Sequence, residues 1–578
     1  MISPEEFQNL DAEEQAKVFL KSKLAEKGEL LLLSHQPERL AASLSREELY
    51  LVTRQVDLEE RSAIIRYASL PQLFFIADIE CWEKDRMNYG GFARWLETLQ
   101  KADERKCLAW LVEMDYETVV SGFKGLVRVI KAEREYPSDE LLGDKPYFTL
   151  DDCYYICGEE DSLDSIKRAF ELLIENHRGR YAAVLEGIID EMDDILEEEA
   201  LHNREARLLD RGFPDSDSAH RIYRPLSMKE FEAFPRKNLN PAKTEDEDEK
   251  SVEQKAPNYL VLWTTDNFFL DEVLLLFKED PPGVYERIQE EMAWIANKII
   301  SCEGIDFSSE ERVRHGAERA RRFTSIGLEI LSGGQLIRAK QWMTERWLEN
   351  IFRLAATRLL EIRDAAHRIV QSYWEKSSDD FLQFLMSPYE FILRGLLLPV
   401  PEQYDSSVSD HPHQLRDFKT LGEVERAQLA VRQFERIHAW LRKQFPNLFR
   451  ELCAEMKVKP EEIRLSTLLG TLFASFVLRG KIDPAPLSPK ELDSFFRKAF
   501  ELRGKRYYLM AALKEKFLGL FPSRDERELL TPLWGLVFQE MEDELGGIQA
   551  GSTPDLRYIQ SLRTSHNGAR GKKKNVRH

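Results

Sequence analysis

Two arginines in one short stretch of this chain could grip an anion. Arg204 and Arg207 lie three apart, followed by Asp210 and Arg211 and then by Gly212, Phe213, Pro214 and Asp215. Residues three apart share a helical face, and two planar guanidinium forks there suit a carboxylate or phosphate. Gly212 fits a left-handed helix cap and Pro214 cannot continue the helix, so the pair sits beside a structured stop. The same arginines have a plainer use. Pairing with Glu197, Glu198 or Glu199, one or two turns earlier, would merely fix the helix end.

Metal chemistry is suggested by Glu199 and His202, an E-x-x-H pair on one helical face, and by Glu435 and His438, a second one. Two such pairs with two further glutamates build di-iron sites in helical bundles. With eleven histidines, however, about one pair is expected by chance. The pairs also lie in different segments, so solvated acidic faces are the expectation, and a metal-dependent enzyme or divalent-cation sensor that uses the central acidic helix, with Glu199 and His202 as ligands, is the alternative. His411 and His413 flank Pro412 without a nearby third ligand, which reads as a loop.

Several nucleotide motifs fail on inspection. Leu331-Ser-Gly-Gly-Gln335 matches the signature sequence of ABC ATPases, but that chemistry needs a P-loop. None of the pairs Gly480-Lys481, Gly504-Lys505 and Gly571-Lys572 is followed by Ser or Thr. Gly333-Gly334 is therefore predicted to be a tight turn between antiparallel helices. No two glycines are two apart, which removes G-x-G, and no histidine precedes a glutamate, which removes H-E-x-x-H. No catalytic residue and no cofactor is implied.

The elements that must carry these residues are helical. Leu, Glu, Arg, Ala and Lys recur at helical spacing through 578 residues, of which 43% are apolar. The expected fold is all-α, a helical repeat or superhelix of several packed units with at most a small central β-hairpin. A formal net charge of -20 disfavours broad nucleic-acid binding. The basic tail Arg570–His578 is the local exception and would be the arm in a nucleic-acid-associated reading. Six cysteines in so long a chain read as reduced thiols of a cytoplasmic protein. The N-terminus lacks a signal-peptide pattern, and the apolar run Leu465–Leu478 is shorter than a bilayer span, so it is predicted to be a buried helix. Another protein is the expected partner, with no membrane insertion.

Along the chain, residues 1–135 read as short helices, each capped afresh. Ser45, Asp57 and Ser69 each precede Glu48, Glu60 or Gln72 by three residues, the spacing of a capping box, and Asp103 and Asp115 repeat the interval. This rhythm, over about residues 28–130, resembles the cytoplasmic N-terminal domain of MgtE-type magnesium transporters. The resemblance implies a helical regulatory domain. The transporter's membrane part has no counterpart here.

A central unit spans 136–237, with Tyr147–Ile156 as the best strand candidate and Asp151-Asp152 as its turn. Its Glu-Glu-Ala run, two spaced arginines, Gly-Phe-Pro-Asp and Ile222-Tyr-Arg-Pro-Leu226 resemble an uncharacterised bacterial family of similar length. An acidic linker is expected at 238–256, a helical unit at 257–398 and a loop at 399–420. A last helical unit at 421–550 and a basic disordered tail at 551–578 complete the reading. The activity this organisation suits is binding: a non-enzymatic interaction or regulatory scaffold.

Overall fold

Polar caps start three successive helices between residues 46 and 80. Ser45 opens α1 (Arg46–Arg54): its hydroxyl accepts from the Glu48 amide at 3.1 Å, and Glu48 accepts from the Ser45 amide at 3.1 Å. Asp57 caps α2 (Leu58–Tyr67) through the amides of Glu59 and Glu60. Before α3 (Leu70–Glu80), Gln72 accepts from the amide of Ser69 at 2.8 Å. The Gln72 amide group then donates to the Ala41 and Leu44 carbonyls, tying this cap to the end of the earlier helix Pro37–Ser43. Each such cap is worth about 1 kcal/mol and fixes where a helix begins. The coordinates are a computed structural model that describes residues 4–132, 146–237, 268–302, 304, 310–373, 382, 384–405, 407, 414–456, 464–547 and 559–565. The acidic linker, the His411-Pro-His413 loop and Arg570–His578 fall outside them, whereas 559–565, expected as part of a disordered tail, pack against the rest of the second unit with Ile559, Ser561 and Leu562 buried and Thr564 bridged to Leu487.

The fold is mostly α-helical, with a few short antiparallel strand pairs. The predicted central hairpin forms: β4 (Tyr147–Phe148) pairs with β5 (Tyr154–Gly158), Phe148 opposite Ile156. Asp151 makes the turn by accepting from the amides of Cys153 and Tyr154, and Asp152 takes φ +58°. Four features go beyond the sequence expectation of one hairpin at most. β3 (Val127–Lys131) pairs along the other edge of β5. A two-residue ribbon joins β1 (Trp82–Glu83) to β2 (Arg86–Met87), and further ribbons join β6 (Gln403–Tyr404) to β7 (Leu415–Arg416) and β8 (Phe500–Arg503) to β9 (Arg506–Leu509). Strands this short give too few alternating residues for a period-2 pattern to register.

The chain divides into two compact units, 1–355 and 356–578. In the first, an aromatic core joins Phe92, Trp95 and Trp110, with the Phe123 ring tilted against Phe170 at 4.6 Å. Here α4 (Tyr116–Lys124) packs on α5 (Asp193–Leu209), and α6 (Pro282–Cys302) on α7 (Glu310–Ser332). Gly333 (φ +60°) and Gly334 (φ +78°) turn the chain from α7 into α8 (Leu336–Glu345), as read from their spacing. Both angles are left-handed, which glycine adopts without penalty.

In the second unit, Phe473 of α10 (Leu465–Arg479) meets Phe495, Phe517 and, on α11 (Arg524–Leu545), Phe538 edge-on, and α9 (Leu421–Gln444) packs on α11. The apolar run is the core helix α10, buried from Leu465 to Ser475. Among the described residues no helix is long and apolar enough to cross a membrane.

Two helical glycines predict opposite outcomes. A Cβ on Gly327 would overlap the backbone carbonyl of Ile351, so Gly327→Ala should lower the unfolding midpoint of its unit, a loss of about 1–3 kcal/mol. Gly535 is exposed in α11 with open space around it, and Gly535→Ala should stabilise by about 0.5–1 kcal/mol. Denaturant unfolding of the two variants against the parent chain reads both signs.

Candidate functional site

One helix carries most of the residues that the sequence singled out. Along α5, Leu196, Ala200, Arg204 and Leu208 recur every fourth position and are buried, while Glu198, Glu199, His202 and Glu205 are exposed. The i, i+4 repeat places each set on its own face.

The inner face is a charged clamp. Arg204 donates to the Asp78 carbonyl at 2.7 Å and the Lys84 carbonyl at 3.1 Å, its guanidinium 5.3 Å from the Trp82 ring. Arg207 donates to both oxygens of Asp78, at 3.0 and 2.6 Å, and to Asp115. Asp78 is 2% exposed, so burial pushes its carboxyl up, against the downward pull of Arg207 and Arg204. Asp115 precedes α4 in the capping position but spends its carboxylate on Arg207 and the Thr118 hydroxyl.

The arginines therefore do not take their partners from the preceding turns. Glu197 accepts instead from Arg86 at 3.2 Å and from the Met87 amide at 2.9 Å. Neither Asp78 nor Asp115 was picked out from the sequence as a partner. The available signal was Asp78 itself, a single carboxylate in the apolar run of α3, which demands a buried cation.

The stop after α5 forms as read. Gly212 takes φ +79° and Phe213 turns inward against Phe75 at 6.1 Å. A side chain on Gly212 would press on the Trp294 ring, and Asn297 donates to the Arg211 carbonyl at 2.8 Å, so this stop seats α6. Pro214 is buried, and Asp215 caps the next short helix through the Ser218 amide at 2.9 Å, which lowers its carboxyl pKa. Asp210 and Arg211 border Arg46, whose guanidinium is lowered to about 10 by burial and then by Arg211.

The outer face of α5 lines an open groove of about 690 Å³. Glu198, Glu199, His202 and Glu205 meet Glu117 of α4 there, with Ile195 as an apolar edge. Asn203 donates to Glu117 at 3.2 Å and holds it in place. The other E-x-x-H pair is split between faces of α9: Glu435 is exposed, while His438 is buried with its ring 5.0 Å from Phe449. Burial, helped by Arg442, lowers His438 to about 4.

The family model described as "Family of unknown function (DUF6178)" matches residues 4–565. The chain belongs to this family. The match takes in the clamp, the groove and both compact units. No curated protein and no solved structure matches the chain.

Two measurements probe these sites. Arg207→Ala strands the Asp78 carboxylate in the interior and should cost about 3 kcal/mol in urea unfolding. Arg207→Lys should recover only part of that, since an ammonium cannot bond both oxygens in the same plane. For His438, a folded pKa below the ordinary 6.5 means that the unfolded chain binds the extra proton first. Its contribution to stability is complete above pH 6.5 and is lost as pH falls towards 4. His438→Gln should flatten that part of the midpoint-against-pH curve, and imidazole NMR should place the titration near 4.

Proposed function

We propose that this chain is a non-enzymatic cytoplasmic interaction scaffold whose α5 groove holds a basic, amphipathic helical segment of a partner protein. The observation that carries this reading is the pairing of chemistries on one face. Glu117, Glu198, Glu199 and Glu205 supply negative charge, and Ile195 with Met192, 64% exposed at the start of the helix, supplies apolar surface. A helix with one apolar and one basic face matches both, and opposite charge speeds its encounter. The clamp behind α5 supports the assignment, because a helix tied to α3 and α4 by Arg204 and Arg207 presents these groups in a fixed array. In this reading the residues from Arg204 to Asp215 serve binding by positioning the outer face.

A second reading, a divalent-cation site, rests on Glu199 and His202 lining the groove together with Glu198 and Glu205 as oxygen and nitrogen donors, although their ligand atoms do not converge on one point in this structure.

One experiment separates the two. A photo-crosslinking residue at Leu201 should capture a defined protein through a Lys/Arg-rich segment. That segment, made as a peptide, should bind with an affinity that falls as salt rises. The double variant Glu199→Lys/Glu205→Lys should weaken it at least about tenfold. Binding that ignores both salt and charge reversal sinks the scaffold reading. Stoichiometric metal in the purified protein, lost in Glu199→Gln or His202→Gln, establishes the cation reading in its place.

A further inference from the structure

A second cavity, of about 470 Å³, lies beside the Gly212 stop in the first unit. Trp294 of α6 and Trp347, just after α8, form its aromatic walls, and Ile295 adds an apolar surface. Both indoles are about half exposed, at 47% and 50%. Large aromatic groups held at that exposure around a concavity of ligand size are the usual furniture of a binding site.

Arg287, Glu290, Glu291 and Trp294 recur at three- and four-residue intervals, so one face of α6 carries them all. The backbone at Gly212 lies against the Trp294 ring, and Asn297 is bonded to Arg211, which fixes the orientation of that face.

The charges in the cavity are unequally satisfied. Glu349 is neutralised by Lys298 at 2.6 Å. Glu291 pairs with Lys237 and accepts from the Leu348 amide at 2.9 Å. Among the described residues, Glu290 has no hydrogen bond or ion pair. Arg287 and Glu286 act on it only through space. With Glu349 set against Lys298, the lining holds Lys237 and Arg287 against Glu290 and Glu291, a balanced set in which Glu290 has no direct ion-pair partner among the described residues.

One cation is already seated there. The Lys237 ammonium, on a side chain 4% exposed, lies 5.2 Å from the centre of the Trp347 ring and against Glu291. The Lys237 amide donates to the Glu345 carbonyl at 2.8 Å, which pins this residue at the cavity wall. An ammonium against an indole face is stabilised by the ring quadrupole, and the adjacent carboxylate adds to it. The second indole, Trp294, and the second carboxylate, Glu290, stand one turn apart on the same face, with Arg287 acting on Glu290 through space rather than in contact.

We propose that the Trp294–Trp347 cavity binds an organic monocation, an alkylated ammonium group seated against the indoles and neutralised by Glu290. The group is either a free quaternary amine or a methylated lysine side chain on another protein. The two sources share one chemistry.

Calorimetry on the full chain tests it, with choline as the free probe. 3,3-Dimethyl-1-butanol, which has the same shape and no charge, is the control. A peptide bearing trimethyllysine is the second arm. Choline should bind with one site per chain and the neutral isostere at least about tenfold more weakly. Tighter binding of the peptide than of choline assigns the protein source, and the reverse assigns the free amine. Glu290→Gln and Trp347→Ala should each weaken choline at least about tenfold. Trp347→Phe, which keeps the fold and an aromatic face, should weaken it less. Lys237→Ala should tighten it, because it removes a like charge and frees Glu291. Equal binding of choline and its isostere, binding of neither amine, or indifference to Glu290→Gln each overturn the proposal.

Discussion

The Asp78 carboxylate can sit 2% exposed in the interior only because Arg207 presents two N–H donors to its two oxygens. An isolated carboxylate there would meet a desolvation penalty of several kcal/mol. Much of the first unit is arranged around satisfying it. Arg207 also draws in Asp115 from the start of α4, and Arg204, one turn earlier, ties the end of α3 and the β1–β2 turn to α5. Three helices and a ribbon thus meet at two guanidinium groups. Pairing of this kind contributes little net stability against an apolar replacement, yet its loss is severe. It fixes which face of α5 looks outward.

That outward face follows from the inward one. Once Arg204 and Arg207 point towards α3, the helical period puts Glu198, Glu199, His202 and Glu205 on the other side, where Glu117 joins them. The Gly212 stop then carries the order onward, since its left-handed turn lets Trp294 approach the backbone and aligns α6. Groove and aromatic cavity are successive consequences of one buried ion pair and one glycine.

Much of this was legible in advance. The helical class, the caps at Ser45 and Ser69, the Asp151-Asp152 turn, the Gly333-Gly334 turn, the burial of the apolar run from Leu465 to Ser475 and the stop at Gly212 are local matters of residue type and spacing. Each depends on groups within a few residues of one another, which is why periodicity and turn chemistry reach them. The family relation rested on such local strings as well, and the match over residues 4–565 extends it to nearly the whole chain.

What spacing could not supply is partnership across distance. Arg207 had three glutamates within three turns and took none of them, because Asp78 and Asp115, 129 and 92 positions away, were already being desolvated and needed a cation more. His202 and His438 occupy the same motif. One faces solvent and the other is buried and held neutral, since the surroundings of a helix face are set by what packs on it. Trp294, Trp347, Glu290 and Lys237 carry no motif at all. The sequence by itself determined helices, caps, turns and the acidic and basic character of each segment. Only the tertiary structure decided which charges are buried and which are left facing a cavity, because burial is a property of neighbours far away along the chain.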